Sequence, residues 1–196
     1  MATKVNHTQS DTFYFITITC YKLLSLFETA NIFEYFPEWT QHLSTRGITL
    51  SGYVIMPNHM HLLVYVHSSN KGLNKTLGNF KRFLAYEIVK RLKRKKKFDT
   101  LRTLEMGVRK EERLKGKKHQ VFQPSFDAKE VRGDNDIAKV LDYIHHNPVS
   151  KKWRLVNDFV TYPYSSAQFY YSDISSTIKV VDYRDVFDYT PESSKE

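Results

Sequence analysis

Between residues 59 and 66 the chain alternates, with Met60, Leu62 and Val64 on one side of an extended segment and His59 and His61 together on the other, because strand residues two apart share a face. The run 13–20 is rich in aromatic and β-branched residues and predicts a first strand. Ile32, Phe33, Phe36 and Leu43 give 29–46 a helical spacing that Pro37 interrupts, so a kink or two short helices are expected there. After Gly47 a second strand, 49–56, joins the histidine strand through the turn signal Pro57-Asn58, making a β-hairpin whose second arm carries both imidazoles.

Past the polar turn 68–72, Leu73, Leu77, Phe80, Leu84, Ile88 and Leu92 recur every three or four residues, the mark of an amphipathic helix. Residues 98–118 show no firm periodicity and read as an insertion or mobile arm, while 119–126 reads as a further strand ended near Pro124. Asp134-Asn135-Asp136 supplies capping chemistry for a helix with the stripe Ile137, Val140, Leu141 and Ile144. Tyr143 and Asn147 lie one turn apart on the flank of that stripe, and Pro148 is expected to stop the helix. On the wheel His146 points nearly opposite the apolar stripe and His145 lies on the flank away from Tyr143, so both are poor ligand candidates. No internal repeat is evident, and the segment 190–196 is expected to fray.

At 196 residues and 41% hydrophobic content the chain can bury a sizeable core as a single domain. The net charge is +9, and between Lys81 and Lys118 sixteen Lys and Arg face five Asp and Glu, which points to a polyanionic partner. The basic candidates are Lys90, Arg91, Lys93, Arg94, Lys95, Lys96, Lys97, Arg113, Lys115, Lys117 and Lys118. A solvated helix face is the plainer reading of such a run. The thirteen Tyr, thirteen Phe and two Trp favour a nucleic acid with unpaired bases, which stack on aromatic rings. Cys20 is the only cysteine, so neither a disulfide framework nor a thiolate metal site is expected, and a reducing cytoplasm fits. Residues 1–10 lack the apolar stretch of a signal peptide and 13–20 is too short to span a bilayer, so no membrane association is expected.

Two neutral imidazoles on one strand face suit a divalent metal, and a tyrosine hydroxyl beside such an ion is a covalent nucleophile suited to phosphodiester cleavage. Each residue has an ordinary alternative: paired strand histidines as structural groups, Tyr143 as a boundary tyrosine, Asn147 as a helix-end cap.

The segment Met56-Pro57-Asn58-His59-Met60-His61-Leu62-Leu63 resembles the HUH motif of single-tyrosine transposases, and Tyr143-Ile144-His145-His146-Asn147-Pro148-Val149 resembles their nucleophile helix. The likeness is greatest to the transposases associated with repetitive extragenic palindromes, and it extends to a tyrosine-proline-aromatic-serine-serine signature at Tyr162-Pro163-Tyr164-Ser165-Ser166. It implies an α+β fold, a ferredoxin-like antiparallel sheet flanked by helices with the HUH motif on a sheet strand. By motif position it makes Tyr143 the nucleophile and His59, His61 and Asn147 the ligands of Mg²⁺ or Mn²⁺. The implied substrate is single-stranded hairpin DNA, cleaved and rejoined through a 5′-phosphotyrosine. Residues 1–196 would then be one catalytic domain with a basic insertion or arm around 93–118, and a homodimer is open. The chain departs from the family's pattern at Ser150-Lys151-Lys152-Trp153, where arginine, alanine and glycine often follow. The rival readings are a silent or domesticated hairpin-binding protein and a metal-dependent hydrolase of small substrates.

Overall fold

Alternation along three strands and helical spacing between them build one sheet with a layer of helices on each side. The computed structural model describes residues 10–70, 72–124, 126–172 and 178–188, so the expected frayed end, 190–196, lies outside the described residues. Strands β1 (Thr12–Thr19), β2 (Ile48–Ile55), β3 (His59–Val66) and β4 (Asp127–Val131) form an antiparallel sheet in the order β2-β3-β1-β4. This is the strand order of a ferredoxin-like fold, and its two central strands are β3 and β1. The hairpin falls where the pattern placed it.

One sheet face carries Tyr14, Ile16 and Ile18 of β1 and Met60, Leu62, Val64 and Val66 of β3. Against it pack helices α1 (Leu26–Ala30), α2 (Phe36–Ser44), with Pro37 in its first turn, and α3 (Leu73–Arg94). The stripe of α3 from Leu73 to Leu92 is buried, as its spacing requires. The opposite face, with Phe13, Leu63, Tyr65 and Val131, receives Ile137, Leu141 and Ile144 of a later helix, Asp134–His146.

Residues 98–118 are largely helical instead of irregular. Helix α4 (Phe98–Met106) buries Leu101 and Leu104, and the short α5 (Lys110–Leu114) buries nothing. Two apolar residues one turn apart are too few to declare a period. Where a strand is expected over 119–126, the described residues 119–124 form no strand and meet the end of β1 through the isolated bridge Cys20 to Phe122. The fourth strand comes just after it, at β4. Its burial does not alternate and it is a charged edge, the usual protection of an exposed strand. The later helix is therefore α6 (Asp134–His146). Gly133 precedes it, and Asp134 and Asp136 sit in its first turn, where the helix dipole favours them, without a side-chain cap. Pro148 ends the α-helix, but Asn147 keeps helical angles and the chain continues as a 3-10 turn, Asn147–Val149. A further helix, α7 (Ala167–Tyr171), follows.

Candidate active site

The turn before β3 is pinned at three points. Backbone N–H groups of Phe27 and Cys20 donate to the carbonyls of Pro57 and Asn58 at 3.0 and 2.8 Å, and the Asn58 side-chain amide donates to the Leu23 carbonyl at 2.9 Å. That last bond turns Asn58 Oδ1 toward His59 Nδ1, 2.7 Å away. An amide oxygen only accepts, so Nδ1 of His59 carries the proton and Nε2 of the neutral ring keeps its lone pair.

His61 follows two residues on, on the same face. Thr17, its register partner on β1, places Oγ1 2.9 Å from His61 Nδ1. Again it is Nε2 that faces the remaining space, and there the Tyr143 hydroxyl stands 3.5 Å away. The rings of His59 and His61 are 4.8 Å apart, and Phe15 stacks on His61 while meeting Tyr143 edge-on. Burial lowers His59 to about 4, assisted by the Lys152 charge and opposed by the ring's hydrogen bond to the Asn147 side chain. Burial also lowers His61 to about 3, with His59 adding to the effect. Both rings are therefore neutral near pH 7, the state a metal ligand needs.

Two stretches some eighty residues apart in sequence thus converge, and α6 is what brings the second. Gly52 of β2 allows the close approach: a Cβ there would overlap the Leu141 side chain. Behind α6, His145 is 1% exposed and its Nε2 lies 2.8 Å from Ser166 Oγ, which accepts the Tyr53 N–H at 2.9 Å. The Tyr162 hydroxyl donates to the Ile55 carbonyl at 2.9 Å, and the Ile55 N–H donates to Tyr164. The segment from Tyr162 to Ser166 therefore covers the β2 edge and ties it to α6. His146 stays exposed on Asp142.

Tyr143 is 53% exposed and Asn147 only 8%. Asn147 hydrogen-bonds the His59 ring, whose centroid is 4.8 Å from that of His61, so its amide stands beside the imidazole pair. Two neutral imidazoles and an amide oxygen suit a divalent ion. Among the described residues no group of three His, Cys, Asp or Glu could hold a metal, so water or substrate oxygens would have to complete the shell. Sequence reasoning missed Thr17, Asn58 and Trp153, whose ring lies 5.7 Å from that of His59. Thr17 could have been found by pairing strands 13–20 and 59–66 in register.

The eleven basic candidates do not form one patch. Lys90, Lys93, Lys115, Lys117 and Lys118 line a common groove beside α3. Arg91 is held inward by Glu87 at 2.9 Å and by the Asn31 carbonyl, Lys95 donates to the Thr29 carbonyl at 3.2 Å, and Arg113 donates to the Glu105 carbonyl at 2.9 Å. Arg94, Lys96 and Lys97 project into solvent at the end of α3. No helix among the described residues is long and apolar enough to cross a membrane.

No protein-family model and no curated protein matches the chain. Among solved structures it is similar to a REP-associated tyrosine transposase bound to a REP hairpin, at 18% identity and a TM-score of 0.57, over 97% of this chain and 96% of that one. A candidate transposase from Deinococcus radiodurans R1 is a looser likeness, at 14% identity and a TM-score of 0.36, over 72% of this chain and 95% of that one. The chain has the fold of the REP-associated tyrosine transposase.

Proposed function

We propose that the chain is a single-tyrosine transposase that cleaves and rejoins single-stranded DNA at hairpin-bearing ends. The observation that carries this reading is the Tyr143 hydroxyl 3.5 Å from Nε2 of a buried, neutral His61. The shared fold with a transposase bound to a REP hairpin supports it. One divalent ion, Mg²⁺ or Mn²⁺, held by His59, His61 and Asn147, would polarise the scissile phosphate.

Tyr143 gives up its proton to solvent and its oxygen attacks phosphorus. The bond from phosphorus to the 3′ oxygen breaks, that oxygen takes up a proton, and the 5′ end stays on Tyr143 as a phosphotyrosine. Because the linkage stores the bond energy, a later 3′-hydroxyl can displace the tyrosine and join strands with no nucleotide cofactor. Thr17 and Asn58 hold the imidazoles in one orientation, and α6 holds the phenol over them. Residues 1–196 act as one cytoplasmic catalytic domain to which the basic segment 93–118 is an addition.

Incubation with single-stranded hairpin DNA and Mn²⁺ is expected to give a protein–DNA adduct that survives denaturing electrophoresis, with a free 3′-hydroxyl on the released strand. EDTA should prevent it. An adduct at the 3′ end, or one indifferent to EDTA, would overturn the reading.

A further inference from the structure

The groove beside α3 has a composition that the active site does not explain. Its volume is about 970 Å³, at the upper end of the roughly 300–1,000 Å³ typical of ligand sites. Helix α3 contributes Lys81, Arg82, Lys90 and Lys93 to one wall, and Lys115, Lys117 and Lys118 come from the facing segment. No Asp or Glu is among its described lining residues. Lys90 and Lys117 pair with carboxylates outside it, Glu87 at 3.4 Å and Glu112 at 2.9 Å. Among the described residues, Arg82, Lys93, Lys115 and Lys118 make no ion pair.

Between these cations the groove is apolar, with Ala85, Val89, Val121 and Phe122 in its lining and the Tyr86 ring 64% exposed at its side. Duplex DNA offers only a charged backbone to a cationic wall, whereas an unpaired strand offers phosphates and base faces together, the combination this lining matches. Lys81 adds to the argument: burial lowers it to about 8, with nearby Lys117 contributing, so an anion beside it would be favourable.

The groove lies on the α3 side of the sheet, away from Tyr143, but the two regions share one end of β1. Gln123 in the groove wall donates its N–H to the Thr19 carbonyl at 2.9 Å, and Thr19 is the register partner of His59. With strands about 4.8 Å apart, only about 10 Å of sheet separates that wall from the histidine strand. A strand leaving the groove can round this end and reach the nucleophile.

Resting on the transposase reading, we propose that the groove between α3 and residues 115–124 is a second DNA site, which holds an unpaired segment flanking the hairpin while Tyr143 acts on the other side of the sheet. The cations take the phosphates, and Tyr86 stacks on a base.

The test measures binding in EDTA, where cutting is absent, with three probes: a hairpin carrying a single-stranded tail, the same hairpin with a blunt end, and the tail alone. For the full chain carrying Lys93→Gln and Lys118→Gln, the slope of log affinity against log salt for the tailed hairpin should become shallower by about 1.4, two single-strand phosphate contacts. Tyr86→Ala should weaken the tailed hairpin and the tail alone by about 5- to 150-fold, the loss of one stacked base, and leave the blunt hairpin unchanged. A tail containing 5-iododeoxyuridine should photocrosslink to Tyr86. Equal weakening of blunt and tailed hairpins would show duplex in the groove and overturn the proposal, as would unchanged binding in all variants or failure of the wild type to bind the tail. Adduct formation in Mn²⁺ is scored separately: tail-specific losses without any adduct would leave this site standing and remove the transposase reading.

Discussion

The two faces of the sheet are made from alternate residues of the same strands, yet they do opposite things. On the α3 face β3 presents Met60, Leu62 and Val64, β1 presents Ile16 and Ile18, and a 22-residue helix seals them from water. On the α6 face the same two strands present Thr17, His59 and His61, under a 13-residue helix whose apolar stripe ends at Ile144. Where the stripe stops, Tyr143 and Asn147 begin. Period-two alternation lets one strand hold a core on one side and a donor set on the other, so each can be altered with little effect on its neighbour.

The largest expected effect is on the α6 face. His61→Ala should abolish the DNA adduct and divalent-metal binding, measured by electrophoresis and titration calorimetry, while the folded circular-dichroism spectrum persists. Retained adduct formation in Mn²⁺ would remove the metal assignment. On the other face, Leu84→Ala should cost about 2–5 kcal/mol in urea unfolding, as large-to-small core changes do, and leave metal affinity in the folded protein unaltered. If metal affinity fell in step with stability, the two faces would not be separable. Asn58→Ala frees the His59 ring and releases the turn from the Leu23 carbonyl, and should weaken metal binding about 10- to 100-fold. An unchanged affinity would mean that the turn does not orient the imidazole.

The smallest effect concerns pH in the metal-free protein. His59, His61 and His145 are held neutral by burial, at about 4, 3 and 4 against an ordinary 6.5. Between those values the unfolded chain binds more protons than the folded one, so these groups make stability rise with pH. Their contribution is full above pH 6.5 and shrinks as pH falls toward 4. His145→Gln should flatten the dependence of the urea midpoint between pH 4.5 and 7, and an unaltered slope would contradict the burial of a neutral ring there.

Much of this arrangement was legible in the chain itself. The spacing of His59, Met60 and His61 gave both faces of β3, and the stripe from Leu73 to Leu92 gave α3, because each pattern repeats often enough to be read. The helix wheel put Tyr143 and Asn147 side by side and the family resemblance gave them their expected roles, although only the fold brings them to the histidines. What escaped lacked repetition or was set by tertiary contact. Helix α4 has two buried leucines, β4 is a charged edge whose burial does not alternate, and the inward turn of Arg91 and Lys95 depends on carbonyls of α1 and the residue after it. The serine at 166 was visible as part of a motif, but its role in fastening α6 to β2 exists only once Tyr53 and His145 meet it.

The central claim is that the Tyr143 oxygen becomes bonded to DNA. The adduct formed in Mn²⁺ can be digested with nuclease and protease and its peptides sequenced by mass spectrometry. A nucleotide mass on Tyr143, joined through a 5′-phosphate, is the predicted result, with no adduct from Tyr143→Phe although that variant still binds the hairpin. A nucleotide on any of the other tyrosines, or an undiminished adduct from the phenylalanine variant, would contradict the assignment of α6 as the nucleophile helix.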